Sequence, residues 1–318
     1  MNGHFLQSSP SRVVTSAVAG CLRRLLIAAF ALVLTFPAAA ATTQTHFPSP
    51  DEAAEAFATA VATDDEEALL AMLGPNLRRY VPEMDQSITV RFLSEWAKSH
   101  RVIPDGADRA RVEVGTEGWT LPIPLVKAGP GWRFDVKAGV EEMRVRRIGR
   151  NELAAQKVLL AIFDAQREYA VLDADGDGLL AYAPRLLSTK GKRDGLYWKT
   201  TTDDPPSPLG PLLVEAQAKG AAVGSGYHGY RYRILTGQGP NARGGAYDYR
   251  VGGQMIGGFA AIAWPVKYGD SGVMTFMVNH DGVVYQKDLG PQTTKKADAI
   301  RRFDPDTSWQ AQPDAANN

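Results

Sequence analysis

The chain has 318 residues, 44% of them hydrophobic, which is enough to fill the cores of two ordinary domains. Lys plus Arg equals Asp plus Glu at 35 each, so there is no net positive field to collect a phosphate backbone, and nucleic acid is excluded as a partner. One cysteine, Cys21, and five scattered histidines provide no disulfide, no cysteine nucleophile after residue 41 and no paired-imidazole zinc site.

Residues 1–41 end in a Sec-type export signal. Arg23 and Arg24 supply the positive start, residues 25–36 the apolar stretch, and residues 38–41 the small side chains that a signal peptidase needs. The apolar run is too short to span a bilayer and Pro37 breaks it, so no transmembrane segment is expected after cleavage. The mature chain is expected in the periplasm or outside the cell. A lipidation motif at Cys21 is disfavoured, because Val18-Ala-Gly-Cys21 precedes the apolar run instead of ending it.

Residues 42–140 read as a first α+β domain. Ser49-Pro50-Asp51-Glu52 is a capping box with proline at the first helical position, and Thr63-Asp-Asp-Glu66 repeats the device before a helix that ends at Gly74. A third helix over 87–99 is expected to bury Val90, Leu93 and Trp96. Strand patterns follow at 110–115, 119–127 and 132–137, the last two joined by a hairpin turn at 128–131. Pro122 and Pro124 place their strand at an edge or bulge, and the whole reads as helices on a small curved antiparallel sheet.

Residues 141–303 read as a second α+β domain. Residues 141–150, with Arg144, Arg146, Arg147 and Arg150, look like a charged connector whose arginines pair with nearby acids. Asn151 is expected to cap a helix in which Ala155, Val158, Leu159, Ile162, Ala165 and Tyr169 form one apolar stripe. Asp173, Asp175 and Asp177 followed by Gly178 match the first half of a calcium loop: hard oxygens at alternate positions, then a glycine for the bend. Position twelve of such a loop is Pro184, not glutamate, so a turn that satisfies its own backbone competes with the calcium reading. Asp194 is the one carboxylate singled out as an outside ligand.

A polar loop at 190–196, a helix at 209–219 and an antiparallel meander complete the pattern. Its strands include 230–234, 259–266, 273–279 and 283–287, and a last helix covers 293–302 before a polar, frayed tail at 304–318. Gly269-Asp-Ser-Gly272 imitates a protease nucleophile motif but lacks the following glycine and any accompanying histidine motif. The glycine-rich segment 237–258 carries Tyr247 and Tyr249, with Tyr227, His228 and Tyr230 just before it. These five form a candidate aromatic platform for glycan or peptide; a hairpin loop whose tyrosines cover the sheet edge is the plainer alternative.

The strings LPIPLVK at 121–127, GWRFD at 131–135, RIGRNEL at 147–153, DAQREY at 164–169, YHGY at 227–230 and GFAAIAWP at 258–265 resemble the bacterial domain-of-unknown-function 2950 family. The resemblance implies an envelope location, brings no catalytic residue, and points to another envelope protein as partner. Across residues 149–288, a helix with Ala-Gln-x-x-Tyr, an Asp/Gly turn and a meander also resembles the globular part of type IV pilins and pseudopilins, some of which bind calcium. The expectation is an α+β, non-enzymatic envelope interaction or assembly module with a pilin-like second domain, its acidic turn a candidate calcium site. A periplasmic hydrolase or a small-ligand or glycan-binding protein is the alternative.

Overall fold

The computed structural model describes residues 44–76, 86–173, 176, 178–200, 206–211 and 226–312. The export signal, Asp175, Asp177 and most of the helix expected at 209–219 lie outside the described residues. Residues Thr42–Asn318 form one compact unit, and both hydrophobic cores lie within it.

The protein is α+β. Helix α1 (Pro50–Ala62) starts as its capping box dictates: the Glu52 N–H donates to Ser49 Oγ at 3.1 Å, and the Ser49 hydroxyl donates to the Glu52 carboxylate at 3.2 Å. In α2 (Glu66–Leu73) the cap is Asp65, not Thr63; its Oδ1 accepts the Ala68 N–H at 2.9 Å. Helix α3 (Gln86–Lys98) packs Phe92, Leu93 and Trp96 on the core but leaves Val90 60% exposed, against expectation.

A first sheet follows, in the order β1-β2-β4-β5, with β3 pairing β2. Its strands are β1 (His100–Pro104), β2 (Arg109–Val114), β3 (Trp119–Thr120), β4 (Leu125–Ala128) and β5 (Gly131–Phe134). The expected strand at 119–127 is split at Pro122 and Pro124, because proline brings no N–H to the ladder. The expected turn at 128–131 is present, with Ala128 paired to Gly131. Phe57, Val112, Leu125 and Phe134 close this core.

Helix α4 (Val136–Tyr169) runs 34 residues, about 51 Å at 1.5 Å per residue. It begins fifteen positions before Asn151: Asp135 is the cap and accepts the Ala138 N–H at 3.1 Å. The charged connector expected at 141–150 is therefore helical. Gly139 permits the start, since a Cβ there would sit 2.7 Å from Ile123 Cγ1.

The second sheet is an antiparallel meander in the order β14-β13-β12-β11-β6. Its strands are β6 (Tyr230–Leu235), β11 (Ala260–Pro265), β12 (Met274–Asn279), β13 (Val284–Asp288) and β14 (Gln310–Gln312). Two short ladders fill the glycine-rich segment between β6 and β11: β7 (Gly237–Gln238) with β8 (Tyr247–Asp248), and β9 (Arg250–Val251) with β10 (Gln254–Met255). Register places Ala261 and Ala263 opposite Ile234 and Tyr232, and these small residues leave room for α4, which crosses β11 and β12 with Ala155, Leu159 and Ile162 buried. Helix α5 (Thr293–Ala299) lies on the other face, where Arg233 Nη2 donates to the Ala297 and Ile300 carbonyls at 2.8 and 2.6 Å. Where a frayed tail was expected from residue 304, Trp309 packs on the core and β14 pairs with β13.

Candidate functional site: the C-terminal end of the long helix

Two sets of contacts set the direction of α4 and hence where its C-terminal end emerges. Along its first half, polar side chains read the backbone of the turn 269–274. Arg144 donates to the Gly269 carbonyl, Arg147 pairs with the Asp270 carboxylate, and Asn151 Nδ2 donates to the Ser271 carbonyl at 2.8 Å. Glu152 Oε1 accepts both the Val273 and Met274 N–H groups, at 2.8 and 3.0 Å. The protease-like motif is thus a docking turn for the helix. Its Ser271 hydroxyl donates to the Lys267 carbonyl and accepts the Lys267 N–H. Burial alone would push the Asp270 carboxyl up; the hydrogen bonds and charges of Lys267 and Arg147 outweigh it and hold it below the usual carboxylate range.

The second half is anchored by apolar burial and one amide. Gln166 is fully buried; its Nε2 donates to the Ala183 carbonyl and its Oε1 accepts the Ala183 N–H, each at 2.8 Å. That pair imitates a strand ladder and pins the chain as it leaves the helix. The Tyr182 N–H then donates to the Met255 carbonyl at 2.8 Å, bringing the β9–β10 hairpin alongside.

Between these pins lies the acidic turn. Asp173 has φ +41 and its carboxylate accepts the Gly178 N–H at 3.2 Å, while Gly176 and Gly178 take φ +72 and +81. The described part of the turn satisfies its own backbone. After it, Ala183 is committed to Gln166, so the chain at position twelve of the loop pattern runs along the helix end. Asp194 is committed as well. It accepts the Thr189 N–H at 2.7 Å and the Thr189 hydroxyl at 2.9 Å, with Arg185 at 3.6 Å. Burial pushes its carboxyl up, but these partners outweigh that and hold it low.

The turn, the loop 187–199 and Gln254 enclose a groove of about 1280 Å³, with Lys190, Lys192 and Lys199 on its walls and Trp198 and Tyr197 at its side. Small-molecule pockets run to roughly 300–1,000 Å³, so this groove is larger than most of them. Exposed aliphatic side chains include Leu187 in its lining and others close in sequence to its lining residues. Val171 is 70%, Leu180 63%, Val251 58% and Leu179 51% exposed, and Leu172, Leu187 and Ile256 are also exposed. Neither the aliphatic rim nor the groove was anticipated, because an exposed leucine has the same letter as a buried one; the lysine-rich run at 190–193 was the available signal.

The five aromatic candidates do not form one surface. Tyr227, His228 and Tyr230 stand at the start of β6; beyond its end Tyr247 pairs with Gln238 of β7, and the Tyr249 N–H donates to the Thr236 carbonyl at 2.9 Å. Tyr230 is fully buried and its hydroxyl donates to the Met274 carbonyl at 2.9 Å; Tyr249 is fully buried and donates to Gln238 Oε1 at 3.0 Å. Burial pushes both phenols well above their ordinary value. Tyr247 is half-buried, edge-on to Tyr249 at 5.4 Å. Exposed His228, at φ +48, lies 4.3 Å from the half-buried Tyr227 ring.

The fold and site define an α+β protein built on one long helix, with no described helix long and apolar enough to cross a membrane. The chain belongs to the family described as protein of unknown function (DUF2950), whose model matches residues 44–312. No curated protein matches the chain, and no solved structure does.

Proposed function

We propose that the chain is an exported, non-enzymatic interaction module of the bacterial cell envelope that docks through the apolar rim at the end of α4. The observation that carries this is the rim itself, with Val171 and Leu180 held in water by a helix end that Gln166 fixes in place. An amphipathic helix across an antiparallel meander supports the pilin-like assembly reading, and the leader at residues 1–41 supports export. A calcium ion at the turn 173–178 belongs to the same proposal. Asp173, Asp175 and Asp177 would hold it with hard carboxylate oxygens, and its charge would offset theirs beside the docking surface. Site-specific photocrosslinking in living cells tests the docking claim. A photoreactive residue at Leu180 is expected to give envelope adducts, and one at exposed Lys157 is not; equal yields from both would remove the claim. Calorimetric titration with calcium tests the metal: heat and a raised melting temperature are expected, both lost in Asp173→Asn.

A further inference from the structure

We propose that a second copy of this chain packs on the exposed face of α4, the two helices crossing antiparallel at Gly149 about a two-fold axis. Gly149 lies in the interior of the 34-residue helix, where glycine is a poorer helix former than alanine. Gly139 has a reason within the chain, the closeness of Ile123, but a Cβ at Gly149 would meet nothing within 4 Å. Only two large hydrophobic side chains of α4 are exposed, Val145 at 51% and Leu153 at 52%, and they stand four positions to either side of this glycine. Residues four apart form one ridge on a helix, and a glycine at the centre of that ridge is where a second backbone can approach closely.

The charges on the same ridge select both the occupant and its direction. Four positions further out on each side lie Glu141, its side chain 60% exposed, and Lys157, also exposed. A two-fold axis at Gly149 with antiparallel helices sets each residue against the one equally far beyond Gly149 in the other copy. Val145 then meets Leu153 of the second copy and Glu141 meets its Lys157, and each pairing occurs twice. The parallel arrangement would set Glu141 against Glu141 and Lys157 against Lys157, and like charges reject it. Glu141 also pairs with Arg144 of its own helix, and its exposure leaves the carboxylate room for a second cation. Lys157 has no ion-pair partner among the described residues. A single helix crossing is smaller than a permanent interface, so the pairing is weak and concentration-dependent.

Analytical ultracentrifugation of the compact unit Thr42–Asn318 over a concentration series tests the proposal, and a reversible monomer–dimer equilibrium is expected. Gly149→Leu should weaken the dimer about tenfold while raising the melting temperature, since leucine is the better helix former. Glu141→Lys and Lys157→Glu should each weaken it about fivefold, and the two combined in one chain should restore it. Cys21 lies outside this unit, so an introduced cysteine is its only thiol. Under a mild oxidant, Val145→Cys protein mixed with Leu153→Cys protein should form a disulfide-linked dimer, and neither variant alone should. A monomer at every concentration, a dimer indifferent to these substitutions, or linkage of either cysteine variant to itself overturns the inference. The outcome is separate from that of the rim. An adduct between two copies runs at twice the chain's own mass, whereas an envelope adduct joins the chain to another protein, so Lys157 remains the control for Leu180.

Discussion

The two halves of α4 are one continuous helix held by opposite physics. Residues 155–169 bury Ala155, Leu159, Ile162, Ala165 and Tyr169 against the meander, so the hydrophobic effect holds them. Residues 136–152 bury only Gly139 and are held by charged and amide side chains that grip backbone. Arg146 belongs to this set: it donates to the Thr120 carbonyl at 2.7 Å and pairs with Glu142. The difference teaches that one element can be placed by area at one end and by directional bonds at the other.

Breaking the apolar half should cost most. Leu159→Ala, at a fully buried position, is expected to destabilise by about 2–5 kcal/mol in chemical denaturation. Gln166→Ala leaves the Ala183 N–H and carbonyl without partners and should cost about 2–3 kcal/mol. Faster hydrogen exchange at the Ala183 amide would show that the loss is local, and a change spread evenly through the core would count against that assignment.

The polar half should respond less per substitution. Gly139→Ala places a Cβ 3.0 Å from Ile123 Cα and should cost about 1–3 kcal/mol, read from the melting temperature. Smallest of all is Asp270→Asn, within about 1 kcal/mol, since Asp270 and Arg147 are both partly exposed. Its sign is definite. A carboxyl held low in the folded state contributes stability that is present above its unfolded value, about 3.9. That contribution is lost as pH falls through the lower folded value. The variant should therefore lose the acid-side part of the wild-type pH dependence, and added salt should shrink the difference between the two proteins.

The same contrast explains what could be read in advance. The stripe from Ala155 to Tyr169 announces itself because apolar burial leaves a 3.6-residue period. The first half of α4 leaves none. Its partners, Thr120 and residues 269–274, are 26 to 125 positions away, and a run of arginines and glutamates looks the same whether solvated or docked. Strand β1 was missed for a related reason: it is an edge with mostly exposed side chains and no alternation. Strand β14 hides in a polar tail because its pairing is with backbone, which carries no side-chain signature. The meander was legible through β11, buried at every position, and through the Asp281-Gly282 turn that joins β12 to β13. Of the candidate site, the acidic turn stood out by its residue types, while the rim beside it depended on exposure, which composition does not encode.

Fractionating cell envelopes that express the wild type or the Val171→Asp, Leu180→Asp variant reads the docking surface itself, whichever class of partner it meets. Wild-type protein should remain with the envelope pellet, and the variant, melting at the same temperature, should be released into the soluble fraction. A variant that stays in the pellet to the wild-type extent would show that this end of the molecule is not where the protein attaches.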